Sequence, residues 1–342
     1  MEPPPSSLLS RFGRSTPISR REFVAAVGGV GGASLFGPSV DASESEANDL
    51  RVRVYPGPVP PTAWPRHGVD GMSDDWPIPF RDAFAAVEDA MGQIQAYAAD
   101  RSLVSDSTTA SEPELTVRVE RGPPVRFPLL SVSQPTDLAF PSLPTVLDAF
   151  RDQLRDHDAL GGPTCHLLLC WSPFNYQVGY GGTISPNDLI GSVGSDTDAD
   201  DPDAVDGAQT VANVGATEVW DSRAVSRNIA IHEVLHTFLS PDIVAEVGDT
   251  RCDHNLGTAT RTGPEGRTLR VSPMATAYAG PDELGGGTRF HGTGCYNHDE
   301  FANHDGYEAD GTDPAVDHFE YTTDLSEATL EAAAEYLARV RS

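Results

Sequence analysis

The most informative stretch of the sequence is HEVLHTFLSPD, from His232 to Asp242, which has two histidines four residues apart. If it is helical, residues four apart lie on the same face, so His232 and His236 present two imidazoles to one cation. Glu233 lies next to the first histidine, where its carboxylate reaches a water molecule on that cation. This residue set at this spacing is typical of a zinc site that performs hydrolysis.

The sequence around this stretch predicts that it belongs to a helix. The run SRAVSRNIAIHEVLHTFL, residues 222–239, is mostly apolar on the faces away from the histidines. Asp221 or Ser222 is suitable as the N-terminal cap, and both remain candidates. Pro241 is expected to end the helix.

A second motif contains Met274, which lies 38 residues after His236. VSPMATAYAG, residues 271–280, resembles the methionine turn of the metzincin clan of zinc proteases. The resemblance implies that Met274 lies beneath the zinc-binding histidines and that Tyr278 lies near the metal with a catalytic role. Tyr278 follows Met274 by four positions, not by the two positions found in several metzincin groups.

The resemblance also implies an α+β fold: a mixed twisted sheet, a helix with the zinc motif, the methionine turn and a C-terminal helix. The sequence pattern fits this order. Alternating or apolar runs predict strands over 51–57, 115–122 and 166–171, and helical spacing predicts amphipathic helices over 79–101 and 143–160. Asp324 and Glu327 resemble a capping box that opens a final helix ending near Arg341.

The chain departs from the metzincin pattern H-E-x-x-H-x-x-G-x-x-H/D at the glycine, which is Leu239 here. Asp242 occupies the position of the third metal ligand. The alternative third ligand is His254, in RCDHNLGT, and it is favoured because histidine is rarer in this chain and a better zinc donor. Asp253 is expected to support it from the second coordination shell.

The chain has four cysteines. Cys165 and Cys170 are expected to lie on opposite faces of one strand, because their sequence offset is odd, and therefore not to bond to each other. Cys252 and Cys295 flank the expected site in loop-like segments. We expect a disulfide between these two.

The composition is strongly acidic. The net charge is −28, from 51 acidic and 23 basic residues, and every basic residue is arginine. This lysine-free, acidic composition resembles that of proteins from extreme halophiles, in which high charge maintains solubility and strong salt screens the repulsion. It argues against nucleic acid and anionic membrane surfaces as partners.

The N-terminus resembles a twin-arginine export signal. Arg20 and Arg21 precede a Gly/Ala-rich apolar run that ends near Phe36, and Val40 and Ala42 fit the small-residue rule for cleavage. The run is too short and too rich in glycine to span a membrane. We therefore expect a signal peptide over 1–42, a polar spacer over 43–49, one catalytic domain over 50–342, transfer by the twin-arginine export machinery, and a secreted protein without stable membrane insertion.

Two polar segments offer further ligands. The acidic loop 194–207 has carboxylates for Ca²⁺ but lacks the spacing of a calcium-binding hand, so a solvated acidic loop is favoured. His291, His298 and His304 cluster in 291–306. They suit a substrate rim or a second metal site, although a solvated loop is the simpler interpretation.

The predicted function is a secreted endopeptidase with one catalytic Zn²⁺ and a polypeptide substrate. Zinc activates a water molecule, and Glu233 serves as the general base. A strand over 210–220 is expected to hold an extended substrate by edge pairing. The alternatives are a zinc hydrolase that acts on a non-protein substrate, and a secreted binding protein with a structural zinc ion. The carboxylate of Glu233 argues against the structural zinc ion, which does not require it.

Overall fold

A computed structural model gives the structure of the protein. It describes residues 50–59, 76–101, 116–126, 143–157, 159–160, 164–171, 181–184, 208–215, 222–250, 252–275 and 318–341. The expected signal peptide and spacer, the acidic loop 194–207 and the histidine-rich segment 291–306 lie outside these residues. In the described part of the chain, no helix is both long and apolar enough to cross a membrane.

The main sheet has five strands. They are β1 (Leu50–Pro56), β2 (Val117–Arg121), β3 (Thr164–Cys170), β4 (Gly181–Ile184) and β5 (Ala208–Asn213). Their order across the sheet is β2-β1-β3-β5-β4. Strands β2, β1, β3 and β5 run parallel, and β4 pairs with β5 in the antiparallel direction. The predicted α+β class, with a mixed sheet, is therefore confirmed.

The centre of the sheet is covered on both faces. Every residue of β3 is buried, as expected for a parallel strand between two layers. Cys165 and Leu167 belong to the larger core on one face, whereas Leu168 and Cys170 belong to a smaller core on the other. Cys165 and Cys170 lie on opposite faces and neither is in a disulfide, which confirms that they do not bond to each other.

Five α-helices lie within the described residues. They are α1 (Ile78–Asp100), α2 (Leu143–Asp156), α3 (Arg223–Leu235), α4 (Pro241–Gly248) and α5 (Glu327–Arg341). Helix α1 packs against α3 and α5 over the larger core. Helix α2 covers the smaller core through Leu147, Phe150 and Leu154, the three residues that its helical spacing singles out. The sequence therefore predicts both amphipathic helices correctly.

A second sheet follows α4. Strands β6 (Ala259–Thr262) and β7 (Thr268–Val271) are antiparallel, and β8 (His318–Tyr321) joins β7 in parallel. This sheet precedes the C-terminal helix. Asn228 of α3 donates from Nδ2 to the carbonyl oxygens of Val271 at 3.2 Å and Thr322 at 2.8 Å. The second sheet is thus fastened to the helix with the histidine motif.

Three local predictions are wrong. Pro241 does not end α3 but opens α4, since proline is well suited to the first turn of a helix. Ser326, not Asp324, caps α5, and its Oγ accepts from the Thr329 N–H at 3.1 Å. The strand expected over 210–220 is not an edge strand, because β5 lies between β3 and β4.

Candidate metal centre

Helix α3 places the first two histidines one turn apart. Its N-terminus is capped by Ser222, whose Oγ accepts from the Val225 N–H at 3.3 Å. His236 is the C-terminal cap, and its N–H still donates to the His232 carbonyl at 3.2 Å. The two side chains therefore share one face, and their Nε2 atoms lie 3.0 Å apart.

The third histidine comes from a one-turn 3₁₀ helix, Asp253–Leu256, which follows α4. His254 Nε2 lies 3.2 Å from His232 Nε2. One ligand nitrogen from each of the three histidines falls within 4.8 Å of the others, close enough to hold one metal ion. Asp242, the alternative third ligand, is exposed in the first turn of α4 and is not part of this group.

The residues after His236 explain why His254, and not Asp242, lies next to the two histidines of α3. Leu239 stands where the metzincin pattern has glycine, and its side chain is buried in the larger core. Pro241 then starts α4, which carries Asp242 on its exposed side. Helix α4 ends at Gly248, and its C-terminal cap Asp249 is left-handed, with a φ of 50° and a ψ of 34°. The chain then turns into the 3₁₀ helix.

Asp253 links the two parts of the centre. Its Oδ2 lies 2.6 Å from Nδ1 of His236, and its Oδ1 lies 3.7 Å from Nδ1 of His254. A carboxylate that accepts from Nδ1–H fixes the tautomer in which Nε2 carries a free lone pair. The expected supporting role of Asp253 therefore has a defined geometry, with His236 as its main partner.

The titration of these groups follows from burial and from their neighbours. Burial lowers the pKa of His232 well below its ordinary value, and the other two histidines lower it further. Burial also lowers the pKa of His254 to about 4. For His236 burial acts in the same direction, but the Asp253 carboxylate outweighs it and raises the pKa. Burial would raise the pKa of Asp253, yet the neighbouring His236 holds it at about 2.

The donor set fits a zinc ion. Zn–N distances of about 2.0–2.1 Å in a tetrahedron place neighbouring nitrogens about 3.3 Å apart. The Nε2–Nε2 distances of 3.0 and 3.2 Å are close to this spacing. Within the described residues these three imidazoles form the group, and three such ligands leave one position of a tetrahedral ion for water, which is the arrangement of catalytic zinc sites rather than structural ones.

Glu233 directly follows His232 in α3, and its charge adds to that of Asp253 in raising the pKa of His236. Glu233 is only 5% exposed. The Thr210 hydroxyl, on β5, donates to Glu233 Oε2 at 3.4 Å. The carboxylate is thus held between the helix and the sheet, close to the histidines but in contact with a different element.

Met274 lies in the expected turn. It is fully buried in the larger core and has a φ of 72°, which is rare for a residue with a side chain. Gly257, which follows the 3₁₀ helix, packs directly against this turn: a Cβ there would lie 2.0 Å from the backbone nitrogen of Ala275. The turn and the segment that carries His254 are therefore in close backbone contact. Tyr278 lies outside the described residues.

The cysteine beside the site is buried. Cys252 Sγ lies 3.9 Å from Nδ1 of His254. Its expected partner, Cys295, lies outside the described residues, so the Cys252–Cys295 disulfide stays a prediction.

The sequence did not single out two residues that support the site. Thr210 has no local pattern that distinguishes it from other strand residues, because its contact with Glu233 depends on the packing of α3 against β5. Asn228 had a usable signature: it is a fully buried polar side chain one turn before His232 in an apolar helix. Such a residue requires hydrogen-bond partners, which the second sheet provides.

Comparison of the chain with protein-family models and with curated proteins finds no match.

Proposed function

We propose that the protein is a secreted zinc-dependent endopeptidase of the metzincin type. The observation that carries the proposal is the convergence of three imidazole Nε2 atoms, from His232, His236 and His254, beside a buried glutamate. A structural zinc site does not require that glutamate, whereas hydrolysis requires a base next to the metal.

The order of the elements supports the metzincin resemblance. A five-stranded mixed sheet precedes the histidine helix, and a turn with the buried Met274 follows it. A 15-residue helix, Glu327–Arg341, then lies at the C-terminal end. The chain differs in its third ligand, which lies 18 residues after His236 and belongs to a separate 3₁₀ helix.

The proposed chemistry divides between the metal and the chain. Bound Zn²⁺ supplies a Lewis acid and lowers the pKa of a water molecule to near 7. Glu233 accepts the proton as the water attacks the peptide carbonyl, and then delivers it to the leaving amine. Thr210 holds the Glu233 carboxylate in place for both transfers. Tyr278 is proposed to stabilise the oxyanion.

The edge of the main sheet is the proposed place for an extended substrate. Within the described residues, β4 (Gly181–Ile184) pairs on one side only, with β5. The other side leaves backbone groups to which an extended peptide can add as a strand. In this proposal β4 holds the extended substrate by edge pairing, the role that the sequence analysis gave to the strand over 210–220.

The acidic composition and the twin-arginine motif support a location outside the cell and in high salt for the proposed enzyme. With a net charge of −28, strong salt is needed to screen the repulsion within the folded chain. The assay conditions follow from this: activity and stability are to be measured in molar salt.

Cleavage of an unfolded protein tests the proposal. The wild-type chain, folded in molar salt with zinc, is compared with Glu233→Gln, which keeps the size of the side chain and removes the base. We expect wild type to cut, a chelator to stop it, and the variant to lose at least about 100-fold in rate. Cleavage by the variant at the wild-type rate would refute the role of Glu233. A folded, zinc-loaded wild type that cuts no peptide bond would refute the endopeptidase.

A further inference from the structure

The N-terminus of the C-terminal helix contacts the segment that carries the third histidine. Thr329, in the first turn of α5, is fully buried, and its Oγ1 donates to the Leu256 carbonyl at 3.1 Å. The Ser326 hydroxyl also donates to this carbonyl oxygen. One backbone oxygen thus accepts from two hydroxyl groups, which lie 70 and 73 residues later in the chain, at the cap and in the first turn of α5.

Leu256 is the last residue of the 3₁₀ helix and lies two positions after His254. Its side chain is fully buried in the larger core. At the other end of the same turn, Asp253 contacts His236. The one-turn helix is therefore held at its start by a carboxylate on the histidine helix and at its end by two hydroxyls on α5.

The turn depends on these outside contacts. A single 3₁₀ turn has poor internal hydrogen-bond geometry and little stability of its own. A buried carbonyl that loses its donors pays a desolvation penalty, so the segment would move to satisfy the oxygen elsewhere. Because His254 is two residues away, any such movement displaces its Nε2 from the other two imidazoles.

The helix that supplies the hydroxyls is itself anchored. Gln93 of α1 accepts from the Leu325 N–H at 3.0 Å and donates to the Thr323 carbonyl at 3.1 Å. Ser326 also caps α5, since its Oγ accepts from the Thr329 N–H. The two hydroxyls therefore start from a fixed position against α1, which is what a support for a metal ligand requires.

We propose that Ser326 and Thr329 are positioning residues for the metal centre: through the Leu256 carbonyl they hold His254 within reach of the metal. The C-terminal helix is thereby a part of the site, although it supplies no ligand. The inference rests on the part of the proposed function that makes His254 a zinc ligand. It is independent of whether the substrate is a polypeptide.

The test is the affinity of the folded chain for Zn²⁺ alone, measured in molar salt by competition with a chromophoric chelator. Thr329→Val removes the hydroxyl and keeps the branched shape, and it leaves the Ser326 cap in place. Thr329→Ser restores the hydroxyl. Thr164→Val, at another buried threonine in the first position of β3, is the matched control.

We expect Thr329→Val to weaken zinc binding by about three- to tenfold, Ser326→Ala with Thr329→Val to weaken it further, and Thr329→Ser and Thr164→Val to stay within about twofold of wild type. In a His254→Ala background, where only the weak residual affinity at higher zinc concentrations is compared, Thr329→Val should have no further effect, since its action passes through that histidine.

Two results would overturn the inference. One is wild-type zinc affinity in the folded double variant. The other is an equal loss on Thr329→Val with and without His254, which would indicate a general effect on folding. A wild-type chain that folds but binds no zinc would remove the metal centre, and with it both this inference and the proposed function. A chain that binds zinc as expected but cuts nothing would leave the inference standing and refute only the endopeptidase.

Discussion

Asp253 Oδ2 lies 2.6 Å from Nδ1 of His236, so the residue immediately before the third histidine is hydrogen-bonded to the second. Both side chains are largely buried, at 14% and 13% exposure. One carboxylate thus orients an imidazole of α3 and fixes the 3₁₀ helix relative to it. The chain itself therefore brings the three imidazoles close enough to hold one metal ion.

Removing this carboxylate should weaken metal binding. We expect Asp253→Ala to lower zinc affinity by about 10- to 100-fold, the usual effect of losing a partner of a ligating histidine. Asp253→Asn should lose less, because the amide oxygen still accepts from Nδ1–H. Zinc affinity by chelator competition is the measurement, and wild-type affinity in Asp253→Ala would contradict the assigned role.

The identity of the third ligand has its own test. His254→Ala should abolish stoichiometric zinc binding at micromolar metal, whereas Asp242→Ala should bind one zinc per chain as wild type does, because its side chain is exposed on α4. The zinc content of the two variants after gel filtration distinguishes the two candidate ligands. The reverse result, loss in Asp242→Ala alone, would return the third position to the metzincin spacing.

Gly257 is predicted to be indispensable, because the Met274 turn leaves no room beside it. A Cβ at Gly257 would lie 2.4 Å from the Met274 carbonyl carbon and 2.0 Å from the Ala275 nitrogen, both of them backbone atoms that cannot rotate away. We expect Gly257→Ala to lower the free energy of unfolding by about 2–4 kcal/mol and to weaken zinc binding, since the clash lies three residues from His254.

The matched control for this substitution is Gly92→Ala in α1. A Cβ there meets nothing within 4 Å, and alanine is favoured over glycine inside a helix by about 0.5–1 kcal/mol. Denaturant unfolding in molar salt should therefore show opposite signs for the two alanines. Two similar, small changes would contradict the close packing of Gly257 on the turn.

The sequence predicted the elements whose local pattern and packing agree. Helix α2 has its apolar residues at helical spacing and buries those same residues, and β3 is an apolar run that lies inside the sheet. His232, Glu233 and His236 were predictable because their relative positions depend only on the geometry of one helix.

Features set by packing over long distances were not predictable. The position of β5 between β3 and β4 depends on strand order, which no single strand encodes. The sequence left both Asp242 and His254 as candidates for the third ligand. The structure separates Asp242 from the two histidines of α3 because Leu239 is buried in the larger core and α4 starts at Pro241. Ser326 and Thr329 act on a carbonyl far away in the chain, so no motif marked them.

The smaller core contains a histidine that should make the protein sensitive to acid. His166 is fully buried on β3, and its Nδ1 lies 2.9 Å from the Tyr55 hydroxyl. Its Nε2 has no hydrogen-bond partner among the residues that the structure describes. Burial, followed by the charge of Arg53, lowers its pKa from 6.5 to about 3. The folded state therefore holds this imidazole neutral.

The direction of the pH effect follows. Below pH 6.5 the unfolded chain binds a proton that the folded chain does not, so stability is present above 6.5 and is lost as the pH falls towards 3. At pH 5 this one group should lower the free energy of unfolding by about 2 kcal/mol relative to pH 8. His166→Gln keeps an acceptor for Tyr55 and should remove this part of the slope.

Denaturant unfolding between pH 8 and pH 5 measures how the free energy of unfolding changes with pH in wild type and in His166→Gln. The contribution of the metal-site histidines is common to both proteins and cancels in the difference. The control is His157→Gln, at an exposed histidine that follows α2, and it should keep the wild-type slope. Equal slopes in wild type and His166→Gln would show that His166 does not remain neutral in the folded protein.

In the proposed mechanism, His232, His236 and His254 hold one zinc ion that performs hydrolysis with Glu233. The most direct test of this mechanism is reconstitution: metal-free protein in molar salt is titrated with Zn²⁺, and the rate of cleavage of an unfolded protein is followed. We expect activity to rise linearly and to reach its plateau at one zinc per chain, with no rise in Glu233→Gln. Activity that is independent of zinc, or a fully zinc-loaded wild type without any cleavage, would contradict the mechanism.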